Sequence, residues 1–330
     1  MKSNGSWTRI RTWTWTRTRI WIWILLGIGA TSAWGQADST QWDWGDFGGI
    51  ITLDSVTVQA SRRGFDVADF VQFVQEDQSF YRAFRNLRFQ TYRAENAIAM
   101  YDKRNHKKAT YRNVIRQLSE GRCRTMEVLE ESVTGNFYKR KKRYRYYTAT
   151  LFDRLFFTWE KVCEEQQEEL ETDAKAKGME KHIRELKKLI FQPGTKADVP
   201  LIGNKTEIFS PKMRPYYDFS IQRKSHQNGR DCYVFTATVK EAYQTHKQDK
   251  TVIKFLETYF DKDSFQVLAR NYRLAYRGSL FDFDVKMEIE LEQRGDTYLP
   301  RLIRYDGFWD VPGKKPEISR FKARFDHSAQ

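Results

Sequence analysis

Between Phe281 and Glu292 apolar and polar residues alternate without a break. Phe281, Phe283, Val285, Met287, Ile289 and Leu291 share one side, and Asp282, Asp284, Lys286, Glu288, Glu290 and Glu292 share the other. A period of two predicts a strand with one face in a dry interior and one in water. Weaker forms of the same pattern recur near 216–224, 231–240, 250–260, 265–277, 298–308 and 318–325. Tyr233, Phe235, Ala237 and Val239 make one apolar row, and Phe321, Ala323 and Phe325 another. Turn residues separate these runs at Asn228-Gly229, Asp261-Lys262-Asp263, Gly278, Gly295-Asp296 and Pro312-Gly313. Residues 216–326 therefore read as an antiparallel meander.

Upstream the period changes. Val67, Phe70, Val71, Val74, Tyr81, Phe84 and Leu87 fall at helical spacing and predict one amphipathic helix over 66–87. Asp66 would cap it, with Phe65 and Phe70 as a hydrophobic staple. Residues 88–147 are more extended, with partial alternation at 88–92 and 110–115, a turn at Gly135-Asn136 and a basic hairpin over 137–147. From Thr150 the helical step returns through Leu151, Leu155, Trp159, Val162, Gln166 and Leu170, then Met179, Ile183, Leu186 and Ile190. The first arm is acidic at 160–171 and the second basic at 175–188, which predicts a helical hairpin ending at Pro193-Gly194. Residues 193–215 are proline-rich and carry Leu201, Ile202, Ile208 and Phe209, so they wrap onto the core. The expected fold is α+β: a curved antiparallel sheet, an unclosed half-barrel, packed on an amphipathic helix, with an inserted helical pair near 150–192.

The first 35 residues follow a different logic. A basic, Trp- and Thr-rich start leads to an apolar run from Ile20 to Ala30 and a small-residue exit at Ala33-Trp34-Gly35, the layout of a secretory signal peptide cut between Gly35 and Gln36. The apolar run falls short of the ~20 residues a membrane span needs, so the mature chain is expected to have no transmembrane segment. No Cys lies near the cut, which predicts a periplasmic protein without a lipid anchor. Residues 36–49 read as a flexible mature N-terminus and 50–330 as a single domain. Within it, Ile50–Ala60 is a lone extended segment, similar to the LD-x-V-x-V-x-A stretch before the plug of TonB-dependent receptors. The chain is far too short for such a receptor's barrel.

Charge sharpens this picture. Lys2, Arg9, Arg11, Arg17 and Arg19, with no acid nearby, account for five of the net +14, and six of the ten Trp also lie in the leader. What remains is a moderately basic, Phe- and Tyr-rich chain. An exported basic chain points to anionic lipid or an acidic protein rather than to nucleic acid. Cys123, Cys163 and Cys232 are odd in number and form no C-x-x-C pair, so no zinc or redox site is expected. One disulfide at most can form; the simplest expectation is buried or half-buried cysteines with no chemistry.

The meander carries a resemblance. Glu257-Thr258-Tyr259-Phe260-Asp261-Lys262-Asp263-Ser264-Phe265 is similar to a strand, acidic turn, strand step of the outer-membrane lipoprotein-sorting and lipoprotein-carrier family. Asp296-Thr297-Tyr298-Leu299-Pro300 resembles its D-x-x-L-P stretch, and Phe321 and Phe325 its final F-x-x-x-F edge. The resemblance spans about 250–325 and implies a non-covalent role: holding an acyl chain or a lipidated partner between sheet and helix. The helical pair and the Pro-rich wrap depart from that pattern. The lining would come from Phe281, Phe283, Val285, Met287, Ile289 and Leu291, unless that row is simply core.

Candidate chemistry is sparse. The five histidines have no ligand spacing, no nucleotide or hydrolase motif occurs, and no cofactor or metal is expected. Asp282/Asp284 and Glu288/Glu290 could in principle serve a hydrolase, but they read as the wet side of a strand. Lys139, Arg140, Lys141, Lys142, Arg143 and Arg145, interleaved with tyrosine, could bind anionic headgroups or could protect a hairpin tip from aggregation. The expectation is thus a non-catalytic envelope carrier of a lipid or lipidated partner. An envelope assembly protein with a filled core is the alternative, and an exported hydrolase a remote third.

Overall fold

The computed structural model describes residues 67–163, 185, 188–189, 191–192, 194–197, 202–226, 229–244, 250–278, 282–310 and 314–328. The leader, Gly35 and Gln36, the Ile50–Ala60 segment, the Asp66 cap, Phe281 and most of the acidic and basic arms lie outside them. Among the described residues, no helix is long and apolar enough to cross a membrane.

The period-two runs fold as read. Strands β1 (Tyr92–Tyr101), β2 (Lys107–Glu120), β3 (Cys123–Gly135) and β4 (Val162–Cys163) precede β5 (Tyr217–His226), β6 (Arg230–Val239), β7 (Ile253–Asp261) and β8 (Val267–Arg277). They are followed by β9 (Asp282–Arg294), β10 (Thr297–Asp310) and β11 (Glu317–Asp326). All join one antiparallel sheet of order β4-β3-β2-β1-β11-β10-β9-β8-β7-β6-β5. It is not closed: β4 and β3 form one edge and β5 the other. The one departure from a simple meander is the return of β11 to pair with β1, Ala94 opposite Phe325 and Ile98 opposite Phe321.

Helices α1 (Val67–Glu76), α2 (Ser79–Leu87) and α3 (Tyr147–Phe156) lie on the apolar face. Register lines up one inner row across ten strands. It runs Val133, Tyr111, Ile98, Phe321, Tyr305, Met287, Tyr272, Leu256, Ala237 and Phe219. Each is opposite the next, so every side chain packs on its cross-strand neighbours. Ile202, Ile208, Phe209 and Met213 of the Pro-rich wrap are buried against the same core.

Three expectations need correction. The helix expected over 66–87 is broken at Asp77-Gln78, because Asp77 folds back on the chain: its Oδ1 accepts the Ser79 N–H (3.1 Å). Ser79 Oγ in turn accepts the Val267 N–H of β8 (3.0 Å), pinning the break to the sheet. The helix expected from Thr150 through Trp159 and Val162 ends at Phe156. Phe157 is extended and buried, and Val162–Cys163 becomes a strand. The cause is covalent: Cys163 is disulfide-bonded to Cys123 of β3, so the chain must turn to the sheet edge. Finally, Arg88–Gln90 form turns rather than strand, and β1 starts at Tyr92. Cys232 is the free, buried thiol.

Candidate functional site

A small unfilled space in the core lies under α3. Its helix starts where Glu317 of β11 reaches over: Oε1 accepts the Tyr147 N–H (2.8 Å), and Oε2 accepts the Thr148 N–H (3.0 Å) and hydroxyl (2.9 Å). A carboxylate at a helix N-terminus satisfies orphan donors and opposes the helix dipole favourably. Below, Phe152 stacks on Phe321 with ring centroids 4.8 Å apart and meets Tyr305 edge-on at 4.9 Å, and Phe156 stacks on Phe321 at 5.1 Å.

Between this helix and the sheet is an almost wholly apolar cavity of about 30 Å³. Its lining includes Leu151, Phe152 and Leu155 from α3 and Met287, Tyr305 and Trp309 from the sheet. That volume is about one water molecule's share of the liquid. Tyr305 accepts the Trp309 indole N–H, and its hydroxyl lies over Gly307, where an added Cβ would be only 2.0 Å away. Gly307 is thus required for the tyrosine to lie flat on the strand. Tyr272 points its hydroxyl at Met287 Sδ (3.0 Å). Burial raises the pKa of both Tyr272 and Tyr305, so the phenols stay neutral. The surroundings offer packing and no acid–base pair.

Of the row read from sequence, Phe283, Val285, Met287, Ile289 and Leu291 are all buried on the inner face, at 0–7 % exposure. Only Met287 lines the cavity; Phe283 stacks on Trp309 instead (5.1 Å). Tyr305, Trp309 and α3 were missed as lining. The signal was available in part: Ile303, Tyr305 and Trp309 keep period two, with Gly307 interrupting the row. Three carboxylates of the other face, Asp284, Glu288 and Glu290, are engaged in cross-strand ion pairs. Asp284 pairs with Arg273 (2.6 Å), Glu288 with Arg304 (3.2 Å), and Glu290 with Arg301 and Arg304. Among the described residues no group of three or more His, Cys, Asp or Glu could hold a metal ion.

The basic hairpin directly precedes α3. Lys139 donates its N–H to Arg143 O (2.7 Å) and Arg145 to Phe137 O (3.0 Å), closing a tight loop whose tip residues Lys141 and Lys142 have φ of 60° and 50°. Lys139, Arg140, Lys141, Lys142, Arg143 and Arg145 are all exposed. Lys142 reaches Glu131 (3.7 Å). The root is rigid: Phe137 is fully buried and stacks on Tyr111 at 5.2 Å, and Tyr144 donates to Asp153 of α3 (2.8 Å). The hairpin is therefore anchored to β2 through Phe137 and linked to α3 through Tyr144.

No family model and no curated protein matches the chain. Among solved structures it is similar to a LolA superfamily protein from Nitrosomonas europaea, with 8% identity over 77% of this chain and 90% of that one, at a TM-score of 0.23. A protein domain from Vibrio parahaemolyticus, titled as outer membrane lipoprotein-sorting, has 10% identity over 80% and 92%, TM-score 0.24. A DUF1329 family protein from Desulfovibrio piger has 10% identity over 79% and 89%, TM-score 0.22.

Proposed function

We propose that this chain is a non-catalytic periplasmic carrier that holds an acyl chain, of a lipid or a lipidated partner, between α3 and the sheet. The observation that carries this reading is the apolar cavity under a helix held to the sheet mainly by stacked rings and one carboxylate cap. At about 30 Å³ it has no room for an acyl chain, so loading requires α3 to lift. The surface then opened is the row from Met287 to Phe321, which would shield hydrocarbon at about 25 cal/mol per Å² buried. The exposed cations of the hairpin, linked to α3 through Tyr144, would orient that cleft toward anionic headgroups.

Native mass spectrometry of protein gently purified from cell envelopes tests the reading. A copurifying acyl species, lost in Met287→Glu while that variant stays folded, supports it. If none copurifies and Met287→Glu unfolds the chain, the interior is a filled core. The same small cavity favours this second reading, an envelope interaction protein without a ligand. The hairpin's part fails if replacing its six cations with Gln leaves binding to anionic vesicles unchanged.

A further inference from the structure

The 13-residue strand β3 is bonded to β2 along its length, but its far side meets β4 only at Cys123 and Arg124. From Thr125 to Gly135 that edge has no partner strand among the described residues. Every residue from Glu127 to Gly135 is exposed, including Val128, Leu129 and Val133. Open edges are normally blunted by lysine, proline or shortness, because unpaired N–H and C=O groups invite another strand. The opposite edge strand, β5, carries Arg223 and Lys224. Between Thr125 and Gly135 there is no Lys, Arg or Pro, and the only charges are Glu127, Glu130 and Glu131, in a chain of net +14. Glu127 is paired with Arg116 (2.9 Å) and Glu131 with Lys142 (3.7 Å), whereas Glu130 makes no ion pair among the described residues.

From this we infer that the β3 edge, residues 125–133, is a docking site for an extended segment of another protein that alternates apolar and basic residues. Backbone pairing would supply affinity, as in strand addition elsewhere. Val128 and Val133, on the inner face, would take its apolar residues, and Glu127 and Glu130, on the outer face, its cations. A second copy of this chain fits poorly, since self-pairing would set like charges across the interface. The site is separate from the cleft under α3, and its test does not depend on the carrier reading.

A labelled eleven-residue peptide alternating Val and Lys is the probe, with the Val/Glu peptide as counterpart. The Lys peptide is expected to bind the full mature protein at least tenfold more tightly than the Glu peptide, and to slow amide exchange at 127–133. N-methylation of alternate peptide amides should abolish binding. The Glu127→Gln/Glu130→Gln/Glu131→Gln variant should lose most of the Lys preference while keeping its circular dichroism. Equal binding of both peptides, undiminished binding of the N-methylated one, or exchange at β3 that does not change would overturn the inference. So would a concentration-dependent dimer in sedimentation that Val128→Lys dissolves, which would make the occupant a second copy.

Discussion

Two parts of the sheet's apolar face solve the same packing problem differently. Under α1 and α2, Phe70 lies within 5.5–6.3 Å of Phe73, Phe235 and Phe260, and Phe209 bridges Phe219 and Phe235. The fully buried Arg270 lies over the Phe80 ring (4.2 Å), donates to Thr258 and faces Asp77 (3.9 Å). Under α3, Phe152, Phe156, Tyr305 and Phe321 also pack ring on ring, yet a void remains, and the helix is held by the Glu317 cap. One part is a closed core. The other keeps a small void under α3, and the carrier reading proposed above makes that helix its removable side.

That contrast can be broken by mutation. Phe260→Ala in the filled part should cost about 3–5 kcal/mol, and Arg270→Ala a similar amount because Asp77 is left buried without a partner; urea unfolding reads both. Cys123→Ser with Cys163→Ser opens a loop of 40 residues and should cost up to about 4 kcal/mol on loop entropy. An overpacking pair is sharper. Leu256→Phe should destabilise by about 1–3 kcal/mol, whereas Leu155→Phe, which can grow into the cavity, should cost less than about 1 kcal/mol. Equal costs would show that the two parts are equally tight. Glu317→Ala should cost about 0.5–2 kcal/mol and accelerate amide exchange in 150–156 more than in α2.

The smallest effect concerns pH. Burial pushes the Cys232 thiol from 9.0 up to about 11, and its S–H donates to Lys224 O. The unfolded chain ionises first, so the stability tied to the protonated thiol is complete below pH 9 and drains away as pH rises toward 11. Cys232→Ala should flatten the difference in urea midpoint between pH 8.5 and 10.5.

Strand positions from 217 to 326 were legible because period two survives wherever one face is dry, as Phe283 to Leu291 illustrate. The break at Asp77 was not, since its cause lies in Ser79 bonding to Val267, far along the chain. Nor was the end of α3: Leu155, Trp159 and Val162 keep helical spacing, and only the pairing of Cys123 with Cys163 diverts them. The candidate cleft was half visible. Its sheet side followed from alternation, but which helix covers it depends on the return of β11 beside β1, a choice no local pattern records.

That return has a consequence in time. Ala94 cannot find Phe325, nor Ile98 Phe321, until β11 has been made. Before that β1 has only β2 to pair with, and the sheet that finally runs β2-β1-β11-β10 can exist only as two separate pieces.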